Sequence, residues 1–408
     1  MPSLQEISRG GVCLPRNKRE VKYNMSQNLY FTSCWLEIFG RLCYTFLVQK
    51  FVSEMRLFMD NLTYRQQLDL KNIEKIRKHL KELPAFCGEY FRSLEIRKST
   101  NTRKNYAYDL GIFFYFLKEN NPYFRDANIR SLSVSILEQI DSTDIEEYLS
   151  FLEAYRKDGQ LYTNNDAGKA RKLSSLKSFF EYYHKRKIIR SNPAAQVDVP
   201  KIKEKTIIRF EPNEIAIFLD EAESGEKLTK KQAEWHRQTK WRDVALLTLL
   251  LGTGIRVSEC VGLDLEDIDF QNDTLKITRK GGNEALIYFS KEVEEALCDY
   301  WEEDRKKRCP VEGHERAFFI STNLTRLSVR SVERLVKKYA RLVTTVKRIT
   351  PHKLRSTYGT ALYDETGDIF LVAETLGHKD VNTTRAHYVA VSEEKRRAAS
   401  QIKLREKK

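Results

Sequence analysis

The chain has no uninterrupted apolar run of about 18 residues, so no membrane-spanning helix is expected. The stretch from Cys43 to Val48 is too short, and Arg41 and Lys50 bracket it. A charged n-region followed by an apolar h-region is also missing at the N-terminus, so no leader is expected. The cysteines number seven, an odd count, and none forms a CxxC pair. Neither a disulfide framework nor a zinc site is signalled, and reduced thiols in a cytoplasmic setting are expected. Internal repeats, low-complexity tracts and a spaced set of three acidic metal ligands are absent too.

What is present is positive charge. Lys and Arg total 71 against 57 Asp and Glu in 408 residues, a formal charge of +14. A basic chain that clusters its excess points to a nucleic-acid partner. The length suggests two or three domains with sizeable cores. Residues 1–62 show no clear period and read as an N-terminal extension, expected to be poorly ordered. From 63 to 195 the pattern is helical, with apolar faces such as Leu68, Leu70, Ile73, Ile76 and Leu80, or Tyr106, Leu110, Phe113, Phe114 and Phe116. Two helices are expected within 131–152, with Ser142-Thr143-Asp144 as a cap, and another from Leu161 to Tyr183. That last segment carries Lys169, Arg171, Lys172 and Lys177, expected to meet phosphates. Beside them runs an aromatic stripe of Phe179, Phe180, Tyr182 and Tyr183, expected to be core. Residues 196–209 read as an extended linker around Pro200. A second domain, 210–391, opens on the helix-start signature Glu211-Pro212-Asn213-Glu214. The tail 392–408 is charged and reads as a helix.

The second domain holds an ordered set of cations. An apolar helix through Asp243–Leu251 is expected to stop at Gly252, and two glycines then let Arg256 open the next helix. Glu259, one turn on, is placed to orient that guanidinium. Alternation over 274–279 and 284–289 predicts a hairpin with Lys280 at its tip. Thr350-Pro351 predicts a helix start, and the i, i+3 spacing puts His352 and Arg355 on one face, within reach of a single phosphate. A further apolar helix, Ile369–Leu376, closes at Gly377. His378 follows at its C-terminal end, where the macrodipole favours a cation. Tyr388 comes next. A phosphodiester passing to a tyrosine needs this inventory: charge on its non-bridging oxygens, a proton for the leaving oxygen, and a base for the phenol. Each member alone is as readily a surface or packing residue.

Together, the stretches LLLGTGIRVSE, ITRKGGNE, TPHKLRSTYGTALYDETG and LGHKDVNTTRAHY resemble the tyrosine recombinases, the phage-integrase and Xer group, most of all the XerS type. The likeness covers roughly residues 65–400. It implies a mainly α fold with a small antiparallel sheet: a helical, SAM-like core-binding domain joined to a catalytic domain of the DNA breaking-rejoining fold. Arg256, Lys280, His352, Arg355, His378 and the nucleophile Tyr388 would be catalytic, with Glu259 in support. The reaction would need no metal and no ATP. The implied partners are double-stranded DNA with paired sites, further copies of the chain in a tetrameric synapse, and an accessory directionality factor or DNA translocase, in a nucleoid-associated setting. Two departures stand out. Ser356 occupies a position where many relatives have histidine, and Tyr388 lies ten residues after His378, one more than in many Xer proteins. A type IB topoisomerase-like nicking-closing enzyme and a non-catalytic DNA-binding protein stay open as alternatives.

Overall fold

A computed structural model describes residues 62–201, 208–279 and 281–378. The first helices are α1 (Tyr64–Leu80), α2 (Cys87–Leu94), α3 (Thr100–Asn120) and α4 (Ser142–Phe151). The strands β1 (Ala154–Lys157) and β2 (Gln160–Thr163) follow, then α5 (Asp166–Lys185) and the short α6 (Pro193–Gln196). The chain continues with α7 (Pro212–Ser224), α8 (Lys230–Thr253) and α9 (Val257–Cys260). A sheet comes next, of β3 (Ile268–Asp269), β4 (Thr274–Thr278) and β5 (Glu284–Tyr288). Four helices complete it: α10 (Lys291–Glu303), α11 (Val329–Val343), α12 (Pro351–Thr366) and α13 (Ile369–Leu376). The architecture is thus mainly helical with small antiparallel sheets, as the sequence predicts.

Local chemistry sets the element ends. Thr63 and Gln66 form a capping box at α1, and Thr229 with Gln232 forms another at α8, each satisfying backbone donors that the first turn leaves unpaired. Pro212 and Pro351 occupy first helical turns. Thr350 precedes Pro351 as expected, but its side chain makes no capping bond.

Several boundaries differ from expectation. Asp141, not the Ser142-Thr143-Asp144 run, caps α4, with Asp144 returning the bond in a capping box. The stretch before it is two 3-10 turns and not a second α-helix. Leu161 lies in β2, and α5 begins only at Asp166. The cause is Asp158-Gly159, both with positive φ (50° and 74°), a pairing that suits a two-residue hairpin turn. Gly252 stays inside α8. The left-handed residue that ends it is Gly254, at φ 61°.

Residues from Leu62 onward make one compact unit with two main apolar cores. The first packs α2, α3, α4 and α5 around Tyr90, Phe113, Phe114, Tyr148, Phe179, Phe180 and Tyr183. Many of these rings meet edge to face, as Phe113 does with Tyr148 at 5.2 Å, an arrangement that lets the positive ring edge meet the negative face. The expected aromatic stripe is therefore core. The second core joins Leu246, Leu247, Leu249 and Leu250 of α8 to Val293, Leu297 and Tyr300 of α10 and to Val332, Val336 and Tyr339 of α11. Helix α1 touches both: Ile76 sits in the first core, while Tyr64 packs on the second under the Arg326 guanidinium, 5.0 Å from its ring centre. Among the described residues, helix α13 belongs to neither. Val372 and Leu376 form a small separate cluster with Tyr358, Leu362, Tyr363 and Ile369.

In the sheet, β4 pairs with β5 from Thr274↔Tyr288 to Thr278↔Glu284. Leu275, Ile277 and Ile287 turn into the second core, so register is fixed by burial of one face. The pairing carries on to the tip, where the Arg279 amide donates to Asn283 O at 2.8 Å.

Gly252 of α8 lies against α10, and a Cβ there would stand 2.5 Å from Val293 Cγ2. Gly252→Ala is expected to destabilise the fold by about 1–3 kcal/mol through overpacking. Adding Val293→Ala should recover part of that loss, which urea unfolding midpoints of the two variants would show.

Candidate active site

Helix α13 ends in a Schellman arrangement. The Gly377 amide donates to Glu374 O and the His378 amide to Ala373 O, both at 2.9 Å, with Gly377 left-handed at φ 63°. This places the His378 backbone directly beyond the last turn. A helix terminus still leaves carbonyls in need of donors, and here three arginines supply them. Arg279 Nη1 donates to Glu374 O at 3.1 Å and its Nη2 to Thr375 O at 2.8 Å. Arg355 Nη2 donates to Leu376 O. Arg256 Nη2 donates to Gly377 O at 3.3 Å. Four successive carbonyls thus meet three guanidiniums drawn from the α8–α9 turn, the β4–β5 hairpin and α12.

Arg256 and Arg355 each have a second anchor. Arg256 Nη1 donates to Glu259 Oε1 at 2.9 Å, and the Arg256 amide donates to Oε2 at 2.7 Å. Glu259 is buried, so its charge is presented to Arg256 with little screening. Arg256 itself keeps 33% of its side chain exposed, and its five N–H donors exceed the two side-chain bonds described. Arg355 is buried, and its Nη1 donates to Gly254 O at 2.7 Å, tying α12 to the end of α8. Burial pulls the Arg279 guanidinium below its ordinary pKa; the Glu259 carboxylate opposes this, and the Arg256 charge adds to it.

The expected residues divide accordingly. Arg256, Glu259, Arg355 and His378 come together at the end of α13. His352 shares the first turn of α12 with Arg355, yet it is exposed where Arg355 is buried. Lys280 and Tyr388 lie outside the described residues. Arg279 was not expected. Its signal in the sequence is a cation directly before the hairpin tip, which local pattern cannot separate from an ordinary strand end.

The basic residues of α5 are placed differently from expectation. Lys172 is buried with its ammonium 2.6 Å from Asn164 Oδ1. Arg171 chelates the buried Asp109, Lys169 pairs with Glu153 at 2.9 Å, and Lys177 donates to Val197 O at 2.9 Å. All four have partners within the protein, and of these Lys172 is buried. A basic surface that local pattern did not single out lies on α11. Arg330, Arg334, Lys337 and Arg341 are all exposed, spaced by four, three and four, opposite the buried Val332, Val336 and Tyr339. The amphipathic period of α11 was the available signal.

A tyrosine recombinase XerC of Caldanaerobacter subterraneus subsp. tengcongensis is 35% identical to this chain, over 73% of it and 80% of the relative. The chain belongs to the tyrosine recombinases. The model of the phage integrase family matches residues 210–395 of this recombinase. A tyrosine recombinase XerS of Streptococcus gordonii is 28% identical over 83% of the chain and the whole of the relative. Among solved structures, the XerH site-specific recombinase bound to its difH substrate aligns with TM-score 0.53 at 21% identity, over 76% of this chain and 81% of that one. The Tn1549 transposon integrase in complex with circular intermediate DNA aligns with TM-score 0.54 at 20% identity, over 77% and 98%. These structural likenesses show the shared fold. This recombinase is therefore a site-specific DNA recombinase.

Gly377 combines a left-handed backbone with no room, because a Cβ there would collide with the Arg279 guanidinium. Gly377→Ala is expected to lower stability by about 1 kcal/mol or more from backbone strain and to displace Arg279. A lowered thermal midpoint together with slower DNA cleavage would report both effects.

Proposed function

We propose that this recombinase cuts and rejoins DNA through a covalent tyrosyl intermediate. The Tyr388 phenolic oxygen attacks the scissile phosphorus, forming the 3′-phosphotyrosyl ester as the P–O5′ bond breaks. The phenolic proton passes to His352, and Lys280 donates a proton to the departing 5′-oxygen. The ester bond is conserved in the adduct, so the reverse step needs no ATP. Arg256 and Arg355 hold the non-bridging oxygens, and His378 hydrogen-bonds the phosphate. Positive charge fixed in place before the reaction stabilises charge that develops in the transition state, which is the service a metal ion would otherwise perform.

The observation that carries this reading is the meeting of Arg256 and Arg355 at the end of α13, beside His378 and with Glu259 orienting one of them. The XerH and Tn1549 structures are complexes with DNA, which supports double-stranded DNA as the partner here. The helical part, 63–195, and the catalytic part, 210–391, are proposed to close as a clamp on a duplex. The basic face of α11 would lie against phosphates. Strand exchange would pass through a four-way junction held by four protomers, with the tail 392–408 docking on the next one. This chemistry would serve either of two biological roles, chromosome-dimer resolution or mobile-element integration and excision. A footprint on genomic DNA would separate them, since one chromosomal site is expected for the first and element ends for the second.

The decisive experiment is a nicked suicide substrate. Wild-type protein should form a covalent protein–DNA adduct, in the presence of EDTA as well, while Tyr388→Phe binds the same DNA and forms none. An adduct with Tyr388→Phe would remove that residue from the role of nucleophile. Lys280→Ala should slow adduct formation and leave affinity nearly intact. Arg334→Ala should weaken binding and reduce the salt slope, log K against log[salt], by about 0.9 for each phosphate that the variant no longer neutralises. An unchanged slope would take α11 off the DNA.

A further inference from the structure

Arg279 is held at both its side chain and its backbone. Its guanidinium spans Glu374 O and Thr375 O with Nη1 and Nη2, a use of the planar fork that a single ammonium cannot copy. Its backbone is pinned on both sides. The amide donates to Asn283 O at 2.8 Å, and the carbonyl accepts from Arg65 Nη1 of α1, also at 2.8 Å. Gly377 leaves the space that the guanidinium fills. A side chain fixed at both ends is a strut. One end stands at the base of the β4–β5 tip, and the other at the last turn of α13, three and four residues before His378.

Two features separate this strut from ordinary surface packing. First, among the described residues α13 shares none with the second core; its buried apolar side chains there form the small cluster of Val372 and Leu376. A helix attached by so little apolar area depends on polar ties for its position. Second, the side-chain hydrogen bonds of Arg279 among the described residues go to backbone carbonyls and not to a carboxylate. Its charge is met by the partial negative pole of the helix end. With Arg256 and Arg355 it makes three guanidiniums around one terminus, and Glu259 hydrogen-bonds that of Arg256.

We propose that Arg279 is a positioning residue for DNA cleavage: by spanning Glu374 O and Thr375 O it fixes the end of α13, and so His378, relative to Arg256 and Arg355. This rests on the reading of His378 as a phosphate-contacting group. Arg279 itself does not touch the phosphate. Its removal leaves the DNA-binding surfaces intact and slows the chemical step by letting His378 drift.

A double-mutant cycle on single-turnover adduct formation tests this with the full-length protein and a nicked duplex. Arg279→Met keeps the bulk and removes the donors. It should bind DNA within about threefold of wild type, as expected when every phosphate stays neutralised, and form adduct about 10–100-fold more slowly, the scale of a misplaced reacting group. His378→Ala should then cost much less in the Arg279→Met background than in the wild type, because the two residues act in series. Independent, multiplying effects would overturn the proposal, as would an Arg279→Met variant that cleaves at the wild-type rate. Arg279→Lys guards against a folding defect. It keeps the charge, should unfold near the wild-type midpoint, and should retain most of the cleavage defect; wild-type cleavage by this variant would show that charge alone matters and overturn the strut. Failure of the wild type to form a Tyr388-linked adduct would instead overturn the proposed function, which the same assay reports separately.

Discussion

The end of α13 is the constraint on which the site depends. A helix must leave its last carbonyls without internal donors, and here that obligation is met by Arg256, Arg279 and Arg355. The need runs both ways. The carbonyls gain donors, and three long, flexible side chains lose their freedom and become a fixed group of positive charges. Ordering such chains costs about 2 kcal/mol each in rotamer entropy, a cost already met before any anion arrives. This is the physical content of a preorganised site. The same bonds locate His378, because the Schellman turn joins its amide to the helix that the arginines hold.

The second core and the elements around it carry those arginines to the meeting point. The second core sets α8 against α10 and α11, with Gly252 allowing close approach. Gly254 then turns the chain in a left-handed residue, and its carbonyl is what Arg355 Nη1 seeks. A Cβ on Gly254 would collide with the Tyr358 ring, so the turn and α12 are fitted to each other. The hairpin hangs from the core by Leu275, Ile277 and Ile287 and projects Arg279 from its far end. Helix α1 reaches across from the first core, its Tyr64 on the second core and its Arg65 on the Arg279 carbonyl. This bond ties α1 to the residue before the hairpin tip.

Much of this was legible in local pattern. The Gly377 stop, the Pro212 and Pro351 starts, the two strands around the tip and the Arg256–Glu259 pair all follow from short-range rules, because caps, turns and i, i+3 neighbours are satisfied within a few residues. The misreadings have a common cause. Gly252 and Gly254 are two residues apart, and only packing decides which is the helix stop: Gly252 faces Val293 and stays helical. Lys172 looks like a surface lysine until Asn164 and the burial of α5 are seen. Arg279 looks like a strand end until α13 is folded against it.

Order and chemical type were therefore determined by the sequence alone: helix, strand and turn at most positions, a basic chain, and a set of residues whose kinds and succession belong to a tyrosine recombinase. Partnership was decided by the tertiary structure. Which arginine meets which carbonyl depends on residues 121 apart for Arg256 and Gly377 and 95 apart for Arg279 and Glu374. Hydrogen bonds act over about 3 Å and carry no trace in local periodicity. Only the packing of α8, α12 and the hairpin around one helix end turns a list of cations into a site.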